Sequence, residues 1–370
     1  MDDCVIVGGG VIGLSLAYEL AQRGMQVHLI ERGQVGREAS WAGAGILPAG
    51  KHCKNDNAFD QLVGLSNELH PQWAAQLREE TGIDTGLRHC GGIYLARDQA
   101  TDRQLRQTEV IWRDRGVAVE HLTASRLADV EPALAPAIDD GRIVSALLSS
   151  DESQLRNPWH LQALLSACLA RGVRVSTGVS VEDVERRENR VEAVRTSAGR
   201  IPAGQVCFAT GAWSRGILER LGVQLALKPI RGQIVLMRCQ RPLLRRIVND
   251  GLRYLVPRLD GRVLVGSTQD DVGFDRRTTA EGVEGLIRLA LDLAPELGRA
   301  TIERTWAGLR PGTADGMPYL GSIPGLENAF VAAGHFRSGL TMSPATAIVM
   351  SELIRGEEPS IDLASLRVDR

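Results

Sequence analysis

Residues 4–31, CVIVGGGVIGLSLAYELAQRGMQVHLIE, constrain the fold more than any other stretch of the chain. The run CVIV is uninterruptedly apolar, as in a strand covered on both faces of a parallel sheet. Gly8, Gly10 and Gly13 follow as G-x-G-x-x-G. A helix is predicted from about Gly13 to Arg23, with Leu16, Leu20 and Ala21 on one face and Gly24 as its stop. The next strand, VHLIE, ends on the acid Glu31. The glycine pattern is weak by itself, but this setting makes it a dinucleotide-binding βαβ unit. Gly8 allows the tight turn, Gly10 lets a pyrophosphate approach the backbone, and Gly13 lets helix pack on strand. The helix N-terminus offers free N–H groups and a positive dipole end to phosphate. Glu31 can accept hydrogen bonds from ribose hydroxyls. Arg32 beside it would suit a 2′-phosphate, but an acid at the ribose position argues against one. NAD and FAD share this fingerprint.

A chain of 370 residues suggests two domains rather than one core. Residues 39–50, ASWAGAGILPAG, are small and glycine-rich, which lets backbone approach a ligand closely. Helical patterns run at about 56–81 and 98–116, and GGIYLA (91–96) and ALLSS (146–150) read as strands. A second α/β piece begins near Trp159: helix, strand, a meander with a hairpin at about 187–190, then the apolar strand QVCFATG. From about 223 to 304, GQIVLM, RYLVPR and RVLVGST read as antiparallel strands, with a helix near 280–294. NAFVAAGHFRSGLTMSPATAIVMSELIRG returns to strand, glycine turn and helix, and the polar tail after about 357 reads as extended. Residues 306–321, WAGLRPGTADGMPYLG, read as a loop in which Arg310 is the only cation, with a Pro311–Gly312 turn aiming it inward.

The formal net charge is −2 and no Lys/Arg block occurs, so nucleic acid is not an expected partner. The six cysteines form no CxxC pair, and Cys4 and Cys207 sit in predicted strands, as buried thiols in a reducing compartment do. The start MDDCVIV is acidic, and no leader or membrane span is read, so a cytoplasmic protein is expected. The seven histidines show no HExxH or paired spacing, so no metal site is expected, and no G-x-S-x-G nucleophile elbow occurs.

Four segments decide between the dinucleotides. ASWAGAGIL (39–47), ATGAWS (209–214), WAGLRPGTADGMPYLG (306–321) and AAGHFRSGLTMSP (332–344) together resemble the FAD-dependent amino-acid oxidases of the D-amino-acid oxidase and sarcosine oxidase group. The resemblance runs from residue 4 to about 368 and lies closest to the branch that serves thiamin biosynthesis. It implies an α/β (α+β) architecture: a glutathione-reductase-type Rossmann domain for FAD and a substrate domain with an antiparallel sheet. The implied division is 1–85, 150–222 and 305–370 for FAD, and 86–149 and 223–304 for substrate. Implied non-covalent FAD contacts are Gly8, Gly10, Val11, Ile12 and Gly13 in the turn, and Glu31 and Arg32 at the strand end. Ala39, Ser40, Ala44, Gly45 and Ile46 join them from the small-residue run, and Val179 meets the adenine end by backbone. His335, Phe336, Arg337, Ser338, Gly339, Leu340 and Thr341 line the isoalloxazine, where helix N–H groups stabilise the reduced flavin.

On the substrate side the resemblance places Arg310 against an amino-acid carboxylate, as two parallel guanidinium bonds allow, with Arg337 nearby and Tyr254 donating its hydroxyl. No protein side chain is expected to act as catalyst. The implied reaction is oxidative deamination of glycine, sarcosine or small D-amino acids, with O2 reduced to hydrogen peroxide and the product feeding thiamin thiazole synthesis. A D-amino-acid dehydrogenase that passes electrons to a quinone is the alternative. Ile46 and Gln269 replace methionines of the glycine-oxidising pattern, which bears on side-chain preference. Lys228 is the only lysine in the substrate region. Relatives of this kind are often tetramers, so a homo-oligomer is expected.

Overall fold

The computed structural model describes residues 2–370, and two eight-stranded sheets carry it. The first grows from the βαβ unit. Strand Asp2–Val7 is parallel to Val27–Glu31 on one side and to Gly199–Phe208 on the other, with Val5 opposite His28 and Val206. Arg174–Thr177 and Ala329–Ala333 extend the parallel core outward. Val27–Glu31 and Ala329–Ala333 are buried throughout, which explains the unbroken apolar run AFVAA in the second; in the first, His28 and Glu31 are buried polar groups. One face packs on the helices Val11–Gln22, Ala58–Thr81, Asn157–Ala170 and Gly339–Ile354 through Leu14, Leu62, Leu164 and Met350. The other face carries Val5, Phe208 and Val331 against Leu218, Tyr319 and Val368. In the tail after 357, Ile361, Leu363 and Leu366 pack into the helix-side core and Val368 into the opposite one, with a short 3-10 turn at Ala364–Leu366.

The second sheet runs Thr301–Thr313, Leu227–Arg238, Arg262–Gly266, Arg253–Pro257, Ile247–Asp250, Gly92–Ala96, Ser145–Ser149, Val119–Thr123. Its alternation sorts two surfaces. Val235, Met237, Val263 and Val265 pack on Leu286, Leu289 and Leu293 of the helix Ala280–Leu293. Ile234, Tyr254, Val256 and Leu264 face the other way, toward Ala44 of the first half. A three-stranded sheet of Ile46–Leu47, Ser153–Gln154 and Arg88–His89 lies between them.

Two expectations change. The first helix starts at Val11, with Gly10 before it in extended conformation, rather than at Gly13. The supposed loop around Arg310 is strand: Thr301–Thr313 pairs with Leu227–Arg238, so Arg310 lies opposite Ile230 and Pro311 opposite Pro229. Proline and glycine signalled a turn, but this strand is an edge, where a missing N–H costs no ladder bond. The side chain of Arg310 is aimed by strand alternation, not by a turn. The strand Thr301–Thr313 stays paired in the second sheet along its whole length. No helix among the described residues is long and apolar enough to cross a membrane.

Candidate active site

A cavity of about 470 Å³ runs from the glycine turn, past the strand Ala329–Ala333, to Arg310. Gly8 has φ +112°, and a Cβ there would stand 2.3 Å from the Ala209 carbonyl oxygen. A Cβ on Gly13 would stand 1.9 Å from the Gly8 oxygen, so this glycine serves helix–strand packing and does not line the cavity. Gly10 is different: its Cβ would meet only Ser40 Oγ, at 3.2 Å, leaving the cavity side open. Ser40 Oγ accepts from the Val11 N–H at 2.9 Å. No hydrogen bond among the described residues uses the N–H of Gly10 or Ile12. The carboxylate of Glu31 is buried and accepts from the Gly9 and Gly33 N–H groups, both at 2.8 Å. It thereby ties the glycine turn to the end of the second strand and still borders the cavity. Arg32 stacks 3.6 Å over the Trp213 ring and donates to Glu38. The Val179 N–H is already donated to the Glu31 main-chain oxygen at 3.0 Å, so Val179 can offer a ligand its carbonyl and side chain only.

The far wall is the turn before Gly339–Ile354. Phe336 has φ +49°, a conformation uncommon outside glycine, and its N–H donates to Pro311 O at 3.1 Å. That bond fixes the turn to the strand carrying Arg310. The N–H groups of Gly339, Leu340 and Thr341 have no acceptor among the described residues. This second helix N-terminus therefore also presents free donors. His70 and Ser66, from the helix Ala58–Thr81, hold its first two turns: His70 Nε2 lies 3.0 Å from Thr341 O, and Ala345 N–H donates to Ser66 Oγ at 3.1 Å. Burial pushes the His70 imidazole down to about 4 and His335 down to about 3, so both are neutral near pH 7. A neutral His70 facing a carbonyl carries its proton on Nε2.

Arg310 donates from Nη2 to Ser267 Oγ at 2.6 Å and from Nη1 to Thr268 O at 3.2 Å. Both acceptors are neutral, and burial lowers the Arg310 pKa, with nearby Tyr254 opposing the shift and Arg337 adding to it. Thr268 is itself fixed: its hydroxyl donates to Asp270 at 2.9 Å, and Asp270 also accepts from the buried Arg231 at 3.0 Å. The guanidinium lies flat over Gly232, where a Cβ would stand 2.2 Å from Nη2. Tyr254 lies over Gly266 in the same manner, 2.6 Å from Cε2. Tyr254 is buried beside Arg310, whereas Arg337 is exposed and donates to Leu252 O at 3.0 Å.

The cavity thus gathers Gly8, Gly10, Val11, Ile12, Glu31, Arg32, Ala39, Ser40, Val179, Arg310, His335, Phe336, Arg337, Gly339 and Leu340. Gly13, Ala44, Gly45, Ile46, Ser338, Thr341 and Tyr254 do not line it. Gly45, at φ +79°, is needed for contact: its Cβ would stand 2.0 Å from Leu155 O. Ala44 O accepts from buried Arg258 at 2.7 Å. Lys228 is exposed and pairs with Asp271. Sequence reasoning missed Gly232, Gly266 and Ser267 around Arg310, though a lone glycine in a strand is a signal of close approach. It also missed Asn157, which donates to Ser40 O at 2.8 Å and has its buried Oδ1 unpartnered.

Two helix N-termini with free donors, an acid at the second strand end and a facing sheet that is antiparallel except where Ile247–Asp250 runs parallel to Gly92–Ala96 define a dinucleotide-dependent oxidoreductase. The family described as FAD dependent oxidoreductase matches residues 3–353, and the chain belongs to it. It is 35% identical over 362 residues to the glycine oxidase of Pseudomonas putida, covering 97% of this chain and 96% of that one. The crystal structure of glycine oxidase from Geobacillus kaustophilus superposes with a TM-score of 0.94 at 35% identity, covering 100% and 98%. The bifunctional protein ThiO/ThiG of Trichormus variabilis is 30% identical over 95% of this chain and 52% of its own length. FAD is the cofactor of the family, and the open side of Gly10, together with the two sets of unused N–H donors, fits its pyrophosphate and flavin ends.

Proposed function

We infer that the protein oxidises glycine, and with it sarcosine and small D-amino acids, to an imine that hydrolyses to the 2-oxo acid and the amine (ammonia, or methylamine from sarcosine), O2 being reduced to hydrogen peroxide. The observation that carries this reading is Arg310, a largely buried cation with neutral acceptors at the wall of the cofactor cavity. An anion is what such a group lacks. Its guanidinium holds the substrate carboxylate, and the Tyr254 hydroxyl donates to the same carboxylate. Arg337 releases Leu252 O to close over the bound anion.

FAD, when bound, supplies the two-electron redox chemistry. The protein's own part is binding and orientation. Gly10, Val11, Ile12, Ala39 and Ser40 hold the pyrophosphate, Glu31, Arg32 and Val179 the adenosine end, and His335–Thr341 the flavin end. Gly8 and Gly13 make room for that turn, and Ala44 and Gly45, which lead into the three-stranded sheet, border the flavin with Ile46. In this reading residues 1–85, 150–222 and 305–370 serve FAD, and 86–149 and 223–304 serve substrate. A homo-oligomer goes with it, and the imine feeds thiamin thiazole synthesis.

Anaerobic glycine should bleach the flavin absorption band of the holoenzyme, and air should restore it with equimolar peroxide. Flavin that stays oxidised across glycine, sarcosine, D-alanine and D-proline would overturn the reading. Dye reduction without peroxide would move it to a dehydrogenase.

A further inference from the structure

A second cavity, of about 500 Å³, adjoins the one-turn helix Ala39–Ala42 and shares only Gly43 and Asn157 with the cofactor cavity. Its wall carries four arginines, Arg156, Arg258, Arg262 and Arg304, and one carboxylate, Glu303. Glu303 is already engaged by Arg262 at 2.6 Å and Arg238 at 3.2 Å. Asp260, outside the wall, takes Arg156 and Arg262, both at 2.9 Å. That leaves two cations without a counter-charge. Arg258 is buried and donates only to neutral oxygens, Gln154 Oε1, Leu155 O and Ala44 O. Burial lowers it to about 10, so it stays charged at neutral pH. Arg304 is exposed, forms none of the ion pairs among the described residues, and stands 5.8 Å from the Trp41 ring centroid. Trp41 and Trp306 meet edge to face at 5.4 Å, and Trp306 Nε1 donates to Ala42 O at 3.0 Å, which fixes its indole. The result is a positive recess with a rigid aromatic wall and an apolar floor of Leu236 and Leu264.

We propose that this recess binds a phosphate-bearing heteroaromatic anion. Among the described residues Arg304 spends no side-chain N–H and Arg156 spends only Nη1, on Asp260, so two guanidinium groups still offer donors, which the three terminal oxygens and charge near −2 of a phosphate monoester satisfy. The indoles supply the flat apolar surface that a ring requires. Arg258 contributes field rather than direct contact, since its terminal nitrogens are committed. Through its bond to Ala44 O it also links the recess to the Ala44–Ile46 segment beside the cofactor cavity.

The test uses FAD-saturated holoenzyme, so that the nucleotide cavity is filled and cannot take the probe. AMP, adenosine and inorganic pyrophosphate are titrated by calorimetry, with tryptophan fluorescence in parallel. AMP should bind saturably, quench fluorescence and weaken as salt rises. Adenosine should bind far more weakly, and pyrophosphate should bind without the quench. Arg304→Glu, an exposed position outside the active site, should weaken AMP at least about tenfold, the loss of one charge-assisted contact, with glycine kinetics unchanged. Trp41→Phe should remove most of the quench. Absence of saturable AMP binding to the wild type, adenosine binding as tightly as AMP, or an Arg304→Glu variant that binds AMP like the wild type would each overturn the proposal.

Discussion

The Gly232→Ala exchange tests the carboxylate clamp without touching a functional group. Gly232 sits on the strand beside Arg310, opposite Gly308, with ordinary backbone angles, so alanine brings no backbone strain. Its Cβ would stand 2.2 Å from Arg310 Nη2 and 2.3 Å from Cζ, well inside contact distance. The guanidinium must rise off the sheet, and its bonds to Ser267 and Thr268 cannot survive together. Only the far end of a flexible side chain moves, so the fold should hold. A displaced guanidinium loses one charge-assisted hydrogen bond to the carboxylate, worth about 1.5–3 kcal/mol, or roughly 10- to 150-fold in affinity. The expected outcome is a KM for glycine raised by that factor, an unchanged FAD dissociation constant and a melting temperature within a few degrees of wild type. Because both changes act on one interaction, adding Gly232→Ala to Arg310→Ala should cost nothing further. A Gly232→Ala enzyme with full FAD and wild-type KM would refute the argument, since it would mean that the guanidinium's seat on Gly232 is irrelevant to the substrate.

The neighbouring seat has a smaller expected effect. Gly266→Ala brings a Cβ to 2.6 Å from the Tyr254 ring, and losing one neutral hydroxyl bond should raise KM by about 2- to 13-fold. Gly10→Val puts a branched side chain against Ser40 Oγ and into the cavity, so the apoprotein should fold but fail to hold FAD, as measured by flavin retention on gel filtration. Ser40→Ala leaves the Val11 N–H without its acceptor and should lower stability by about 0.5–2 kcal/mol in a denaturant titration. Burial holds His70 down to about 4 and His160 and His335 down to about 3, against an ordinary 6.5. The folded state therefore favours their neutral forms: this stability is complete above pH 6.5 and is lost as pH falls toward those folded values. Between pH 6.5 and about 5.5 each contributes a loss on the order of 1 kcal/mol, so a melting temperature that stays flat across that interval would contradict it.

The glycine turn and the helix after it were legible because each depends on local rules: an apolar strand, spaced glycines and an acid at the next strand end. The structure adds that Glu31 is bound by the Gly9 and Gly33 N–H groups, a role that spacing alone does not reveal. The Arg310 segment shows the opposite case. Proline and glycine announce a turn locally, yet Pro311 and Gly312 pair with Pro229 and Lys228 in a thirteen-residue edge strand, because pairing is decided by the partner strand and not by the segment. The second sheet was read strand by strand, but its inner surface was not, since that surface depends on which residues stand side by side across four strands. Register places Tyr254 opposite Gly266, and Gly266 opposite Ile234. A glycine in GQIVLM or VLVGST looks like a weak point in a strand. Placed in the sheet, Gly232 and Gly266 are instead the two places where a long side chain from a neighbouring strand can lie flat against the backbone. The clamp therefore depends on positions with no side chain, and their function becomes visible only when the strands are paired.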